Sequence, residues 1–199
     1  MNFRVIRTAA LAATFFALTG PAFAHTGHGD AGGFVHGFMH PVGGLDHVLV
    51  MVAVGLYAAT IGGRALWFVP ATFVSVMAIG GALGTAGIAL PYVEIGIGIS
   101  VVVLGLAVAL RLSLPTLAAM ALVGLFAIFH GYVHGAEMPQ QASGYAYAAG
   151  FMLATALLHG AGIALGFAAG RFAALGGWRV AQAAGGAMAL AGVAMLAAG

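Results

Sequence analysis

The chain contains no cysteine and no lysine, and it has few charged side chains of either sign. Without cysteine it forms no disulfide, thiolate zinc site, iron–sulfur cluster or covalent c-type haem link. Any metal ion must therefore be bound by histidine, carboxylate, methionine or backbone oxygen. The absence of lysine also excludes a Walker A phosphate loop, so the chain does not hydrolyse ATP by that route.

Charge is scarce because hydrophobic residues dominate the composition. Of the 199 residues, 63% are hydrophobic and 5% are charged, and the mean hydropathy is +1.11. A water-soluble surface needs roughly a quarter or more of charged residues, so a soluble fold is excluded, and so is disorder. Nucleic acid is excluded as a partner, because the formal net charge of +2 comes without a basic cluster. The composition predicts a lipid bilayer as the partner instead.

The first 24 residues have the pattern of a secretory signal peptide. Arg4 and Arg7 precede an apolar run over 8–18, and an A-x-A site ends at Ala24. This run is too short for a membrane span, which needs about 20 apolar residues. We expect cleavage before His25, which leaves a periplasmic, His-containing leader over 25–41.

The rest of the chain is a series of apolar stretches separated by short breaks at Gly, Pro or Arg. Each stretch is long enough to cross a bilayer. We therefore predict an all-α integral membrane protein in which residues 42–199 form one domain of six transmembrane helices. The predicted helices cover approximately 42–61, 65–88, 92–110, 114–134, 144–168 and 174–197.

The arginines indicate the orientation of these helices. Arg64 lies in the first connection, Arg111 in the third, and Arg171 and Arg179 in the fifth. These are the connections that a secreted N-terminus places in the cytoplasm, as the positive-inside rule requires. We therefore expect a multi-pass protein of the bacterial inner membrane whose mature N-terminus and C-terminus are both periplasmic.

Polar side chains within or beside membrane spans are costly, and they mark candidate functional sites. His130 and His134 are four residues apart, so a helix places both imidazoles on one side, about one turn from each other. Imidazole and carboxylate without thiolate suit Ni²⁺, Co²⁺ or Zn²⁺. Two groups gather at the predicted external ends of the first and fourth helices: His40, Asp46 and His47, and His130, His134 and Glu137.

Further candidates are weaker. His159 lies about 15 residues into the fifth predicted helix, near the membrane midplane, and is either a second station on an ion path or a buried structural histidine. Met51 and Met152 are either soft ligands along that path or core residues. The remaining candidates are His36 before the first group, Glu94 at the external start of the third helix, and His25 and His28 in the leader.

Two motifs of the chain resemble those of the HupE/UreJ family, which is associated with hydrogenase and urease and regarded as nickel or cobalt permeases. The motifs are H-P-x-G-G-x-D-H over 40–47 and F-H-G-x-x-H-G-x-E over 129–137. The resemblance implies a non-enzymatic permease without a prosthetic group, whose cargo is Ni²⁺ or Co²⁺. It assigns metal transport to His40, Asp46, His47, His130, His134 and Glu137.

Other functions remain open at this stage. A set of three His or acid ligands with an activating carboxylate is also compatible with an intramembrane zinc-dependent hydrolase. His130 and His159 are a conceivable axial pair of a b-type cytochrome, and a metal sensor that does not transport is a third alternative. The sequence also leaves open whether the chain forms a homo-oligomer.

Overall fold

The computed structural model describes residues 30–139 and 142–198, and the regular secondary structure of this part of the chain is all helical. The predicted signal peptide over 1–24, together with His25 and His28, lies outside these residues. The all-α class is confirmed for the described ranges. The helices are α1 (Asp30–Gly43), α2 (Leu45–Ile61), α3 (Ala65–Thr85), α4 (Val93–Ala109), α5 (Thr116–Ala136), α6 (Gly144–Arg171) and α7 (Gly177–Ala198), and a 3₁₀ turn (Ala173–Leu175) precedes α7.

Within residues 30–139 and 142–198, four helices, α3, α5, α6 and α7, are long and apolar enough to cross a membrane, and α1 together with α2 passes the same test as a pair bent by 82°. The chain is therefore a multi-pass membrane protein. Helix α4 is apolar but has 17 residues, or about 26 Å at 1.5 Å per residue, against a hydrocarbon core of about 30 Å. The six predicted helices correspond in position to α2–α7, while the count of six spans stays a prediction.

Helix α3 is shorter than predicted, because it ends at Thr85 rather than near Ile88. Gly87 adopts the left-handed conformation with φ of 67°. The amide of Gly87 donates to the carbonyl of Gly84, and that of Ile88 donates to Leu83. These bonds close the end of the helix in the way that left-handed glycine caps do.

Helix α1 covers most of the predicted leader over 25–41, and it is a helix that the sequence does not predict. It packs against the first half of α6, where Gly37 lies against the backbone of Tyr147. Gly44 then adopts an extended conformation, and α2 starts at an angle of 82° to α1. This break places the end of α1 and the start of α2 around the same volume.

Glycine allows the helices of each pair to approach backbone to backbone, as small residues do in membrane proteins. In the parallel pair α3 and α5, the glycines of each helix face the backbone of the other. The antiparallel pair α4 and α7 packs in the same way, as does α6 against α1 and α2. Between α3 and α5, the glycines at which a Cβ would overlap the backbone of the other helix are Gly80, Gly84, Gly131 and Gly135.

A methyl group at this contact should destabilise the fold. A Cβ at Gly80 would overlap the carbonyl oxygen of Ile128, whereas a Cβ at Gly186 on α7 would meet no atom within 4 Å. We expect Gly80→Ala to lower the free energy of unfolding by about 1–3 kcal/mol, the usual cost of overpacking. Thermal unfolding in detergent, with Gly186→Ala as the control, measures this. Equal stability of the two variants would contradict the packing described.

Candidate metal site

The two predicted groups of polar residues meet in one cluster, where the α1–α2 break lies beside the end of α5. The ring centroid of His134 lies 4.8 Å from that of His40 and 4.8 Å from that of His47. His47 lies 4.8 Å from His130. We call these four residues, with Asp46 and Glu137, the histidine cluster.

The cluster runs from a partly exposed rim to a buried interior. At the rim, Nε2 of His40 lies 3.3 Å from Oε2 of Glu137, and the two side chains are 26% and 59% exposed. His47, His130 and His134 are buried. The rim therefore presents a carboxylate and an imidazole to the surface, and three further imidazoles lie behind them.

Asp46 determines which nitrogen of His47 is available to a metal ion. Nδ1 of His47 lies 2.9 Å from Oδ1 of Asp46, and because a carboxylate only accepts, the imidazole donates its Nδ1–H. The lone pair is then on Nε2, which is buried and has no partner among the described residues. A carboxylate that orients a histidine in this way is a common feature of metal sites.

Ser100 on α4 orients His130 in a comparable way. The Ser100 hydroxyl donates its only hydrogen to the carbonyl of Ile97, at 2.6 Å. Nε2 of His130, at 2.8 Å from the same hydroxyl oxygen, must then donate its own hydrogen. The lone pair of His130 is therefore on Nδ1, which is buried without a partner in the described part of the chain.

Ser100 was not predicted as a site residue, although the sequence carries a signal for it. Ser100 and Glu94 are the polar residues of the otherwise apolar α4. A serine in a membrane helix commonly bonds a carbonyl of its own helix, and Ser100 does so. Its second contact, with His130, follows from the packing of α4 against α5 and cannot be deduced from spacing.

His134 contacts both His40 and His47 in the cluster. Both of its ring nitrogens are buried and unpartnered within the described ranges, and Phe151 of α6 stacks on its face at 4.9 Å. Leaving buried polar groups unpaired is costly, which makes His134 a candidate metal ligand. No three His, Asp or Glu side chains of residues 30–139 and 142–198 are arranged to hold one ion, so binding by three of them requires side-chain rotation.

The weaker candidates lie apart from the histidine cluster. His36 is half-buried on α1, and Glu94 is exposed in the first turn of α4. In the described structure neither has a hydrogen bond or ring contact with the cluster. His159 of α6 is buried deeper in the bundle, and its ring packs edge-on against Phe73 at 5.2 Å. Phe73 in turn lies 5.9 Å from His130.

The chain is similar to known proteins over most of its length. The family model described as HupE / UreJ protein matches residues 12–195. The chain belongs to the HupE/UreJ family. Protein HupE of Rhizobium leguminosarum bv. viciae is 49% identical over 184 residues, which cover 92% of this chain and 95% of that relative. No solved structure matches the chain significantly.

Removing the Ser100 hydroxyl should weaken metal binding in this HupE/UreJ family member. Ser100→Ala leaves Nε2 of His130 without an acceptor and frees the ring to change tautomer. We expect the affinity for Ni²⁺ to fall about 10- to 100-fold, as is usual when a partner of a metal ligand is lost. Calorimetric titration of the protein in detergent measures this. Ser75→Ala, on an exposed position of α3, is the control, and equal affinities in the two variants would refute the role of Ser100.

Proposed function

We propose that this protein is a permease that carries Ni²⁺ or Co²⁺ across the bacterial inner membrane into the cytoplasm. The observation that supports it most is the convergence of four histidines and two carboxylates within a bundle of apolar helices. Buried imidazole nitrogens without partners are suited to a borderline divalent ion that has lost its water. The HupE/UreJ motifs agree with the same two metals.

In the proposed mechanism the ion first contacts His40 and Glu137 at the rim, where both side chains reach the surface. It then passes to His47 and His134, and next to His130. Nε2 of His47 and Nδ1 of His130 carry the available lone pairs, which follows from their bonds to Asp46 and Ser100. Each step replaces water ligands by protein ligands.

The candidate residues outside the histidine cluster have supporting roles in this proposal. Glu94 and the histidines of the leader, His25 and His28, attract ions outside the membrane, and His36 does the same on α1. His159 receives the ion beyond the histidine cluster. In this proposal the ion is cargo, and the protein has no prosthetic group and is not an enzyme. Its partners are the ion and the lipid bilayer.

Uptake into liposomes tests the proposal directly. Purified protein should admit Ni²⁺ or Co²⁺ with saturation, and His47→Ala and His134→Ala should reduce uptake to the rate of protein-free liposomes. Gly186→Ala, which meets no neighbouring atom, should transport like the wild type. Binding without uptake of any ion would instead identify a sensor, and turnover of a substrate with zinc would identify a hydrolase.

The orientation of the chain can be tested with single cysteines, because the natural sequence has none. Tyr145, at the start of α6, is 93% exposed, and Leu175, between α6 and α7, is 84% exposed. We expect a membrane-impermeant maleimide to label Tyr145→Cys in spheroplasts, and to label Leu175→Cys only after the membrane is broken. The reverse pattern would contradict the proposed direction of transport.

A further inference from the structure

The hydroxyl of Thr155 in α6 is directed away from its own helix. The hydroxyls of Thr60 and Thr85 donate to carbonyls one turn earlier, at 3.0 and 2.9 Å, as threonine commonly does in helices. Oγ1 of Thr155 instead lies 3.3 Å from Sδ of Met51 and 3.6 Å from Sδ of Met77. One oxygen and two sulfurs from α6, α2 and α3 thus meet in the core.

This group lies directly beneath the histidine cluster. Met51 follows the cluster residue His47 by one turn of α2, and Thr155 follows Phe151, which stacks on His134, by one turn of α6. Gly131, the neighbour of His130, packs against the backbone of Met77. The side chains of Met51, Met77 and Thr155 are fully buried.

His159 lies one turn further into the bundle. It follows Thr155 by four residues on α6, so the two side chains lie on the same side of the helix. Its exposed fraction is 1%, and both of its ring nitrogens are without a partner in the described part of the chain. An imidazole with two unpaired nitrogens at this depth is a candidate ligand rather than a packing residue.

We propose that these side chains form a second, inner metal site, which accepts a dehydrated, borderline-soft divalent cation from the histidine cluster. This deepens the proposed function and depends on it. The thioethers and the Thr155 oxygen bind the ion first, and an imidazole nitrogen of His159 binds it next. The site consists of Met51, Met77, Thr155 and His159.

The ligand types of the inner site select the transported ion against Mg²⁺ and Ca²⁺, and they also allow the ion to be released. Thioethers are soft ligands that bind Mg²⁺ and Ca²⁺ poorly, so the site discriminates against these abundant ions. All four ligands are uncharged when the imidazole is neutral, and the site has no carboxylate. The inner site therefore binds an ion less tightly than the histidine cluster does, where Asp46 and Glu137 supply negative charge. Conduction requires binding that is weak enough for the ion to leave.

X-ray absorption of the protein loaded with excess Ni²⁺ tests the inner site independently of transport. Because the chain has no cysteine, any sulfur bonded to the metal belongs to methionine. We expect a sulfur contribution in the wild type that is lost in the double variant Met51→Leu/Met77→Leu. It should persist in Met188→Leu, a buried methionine on α7. A wild-type spectrum with nitrogen and oxygen ligands alone would overturn the proposal.

The rate of Ni²⁺ uptake by variants of the inner site is a second test. Thr155→Val and the double methionine variant should retain the Ni²⁺ affinity of the histidine cluster and lower the rate of uptake at least about tenfold, the scale of loss when groups of a metal site are removed. Thr60→Val is the control, because the Thr60 hydroxyl bonds a carbonyl of its own helix. Uptake at the wild-type rate in both variants would overturn the inner site. Sulfur ligation in a wild-type protein that admits no ion would refute the permease and leave the inner site standing.

Discussion

The break between α1 and α2 at Gly44 is the constraint on which the candidate site depends. A straight helix would separate His40 from His47 by seven residues along one axis, whereas the 82° bend places their ring centroids 6.2 Å apart. A Cβ at Gly44 would lie 2.8 Å from Oδ1 of Asp46 and 3.0 Å from Nδ1 of His47, so any larger residue there would displace this pair of side chains. The hydrogen-bonded side chains of Asp46 and His47 occupy the space beside this glycine.

The position of α1 depends in turn on close helix packing. Helix α1 lies against α6 through Gly37 and Gly150, whose missing side chains let the two backbones meet. Helix α6 has 28 residues, about 42 Å, which is longer than the hydrocarbon core of about 30 Å. It therefore contacts α1 near its start and α2 further along, and its residues Phe151, Thr155 and His159 line successive depths of the bundle.

Much of this structure could be predicted from the sequence because the chain is so short of polar residues. Apolar runs indicate the positions of α2–α7, and the cost of polar groups in lipid identifies His40, His47, His130 and His134 as candidate ligands at the external ends of two helices. Helical spacing placed His130 beside His134, and the structure brings the predicted set together.

The remaining features depend on tertiary contacts that spacing does not encode. Residues 30–43 contain four glycines, which disfavour a helix in isolation, and the close contact of Gly37 with α6 exists only in the folded bundle. The contact of Ser100 with His130 arises from two different helices. The direction of the Thr155 hydroxyl likewise depends on Met51 and Met77, which as single methionines resemble ordinary core residues.

In the proposed permease, one ion binds where the α1–α2 break meets the end of α5. Anomalous diffraction from crystals loaded with Ni²⁺ or Co²⁺, recorded at the absorption edge of the metal, locates this ion. We expect a peak within bonding distance of His134 and of at least one of His47 and His130. A loaded, transport-competent protein whose metal peaks all lie away from these three histidines would refute this site.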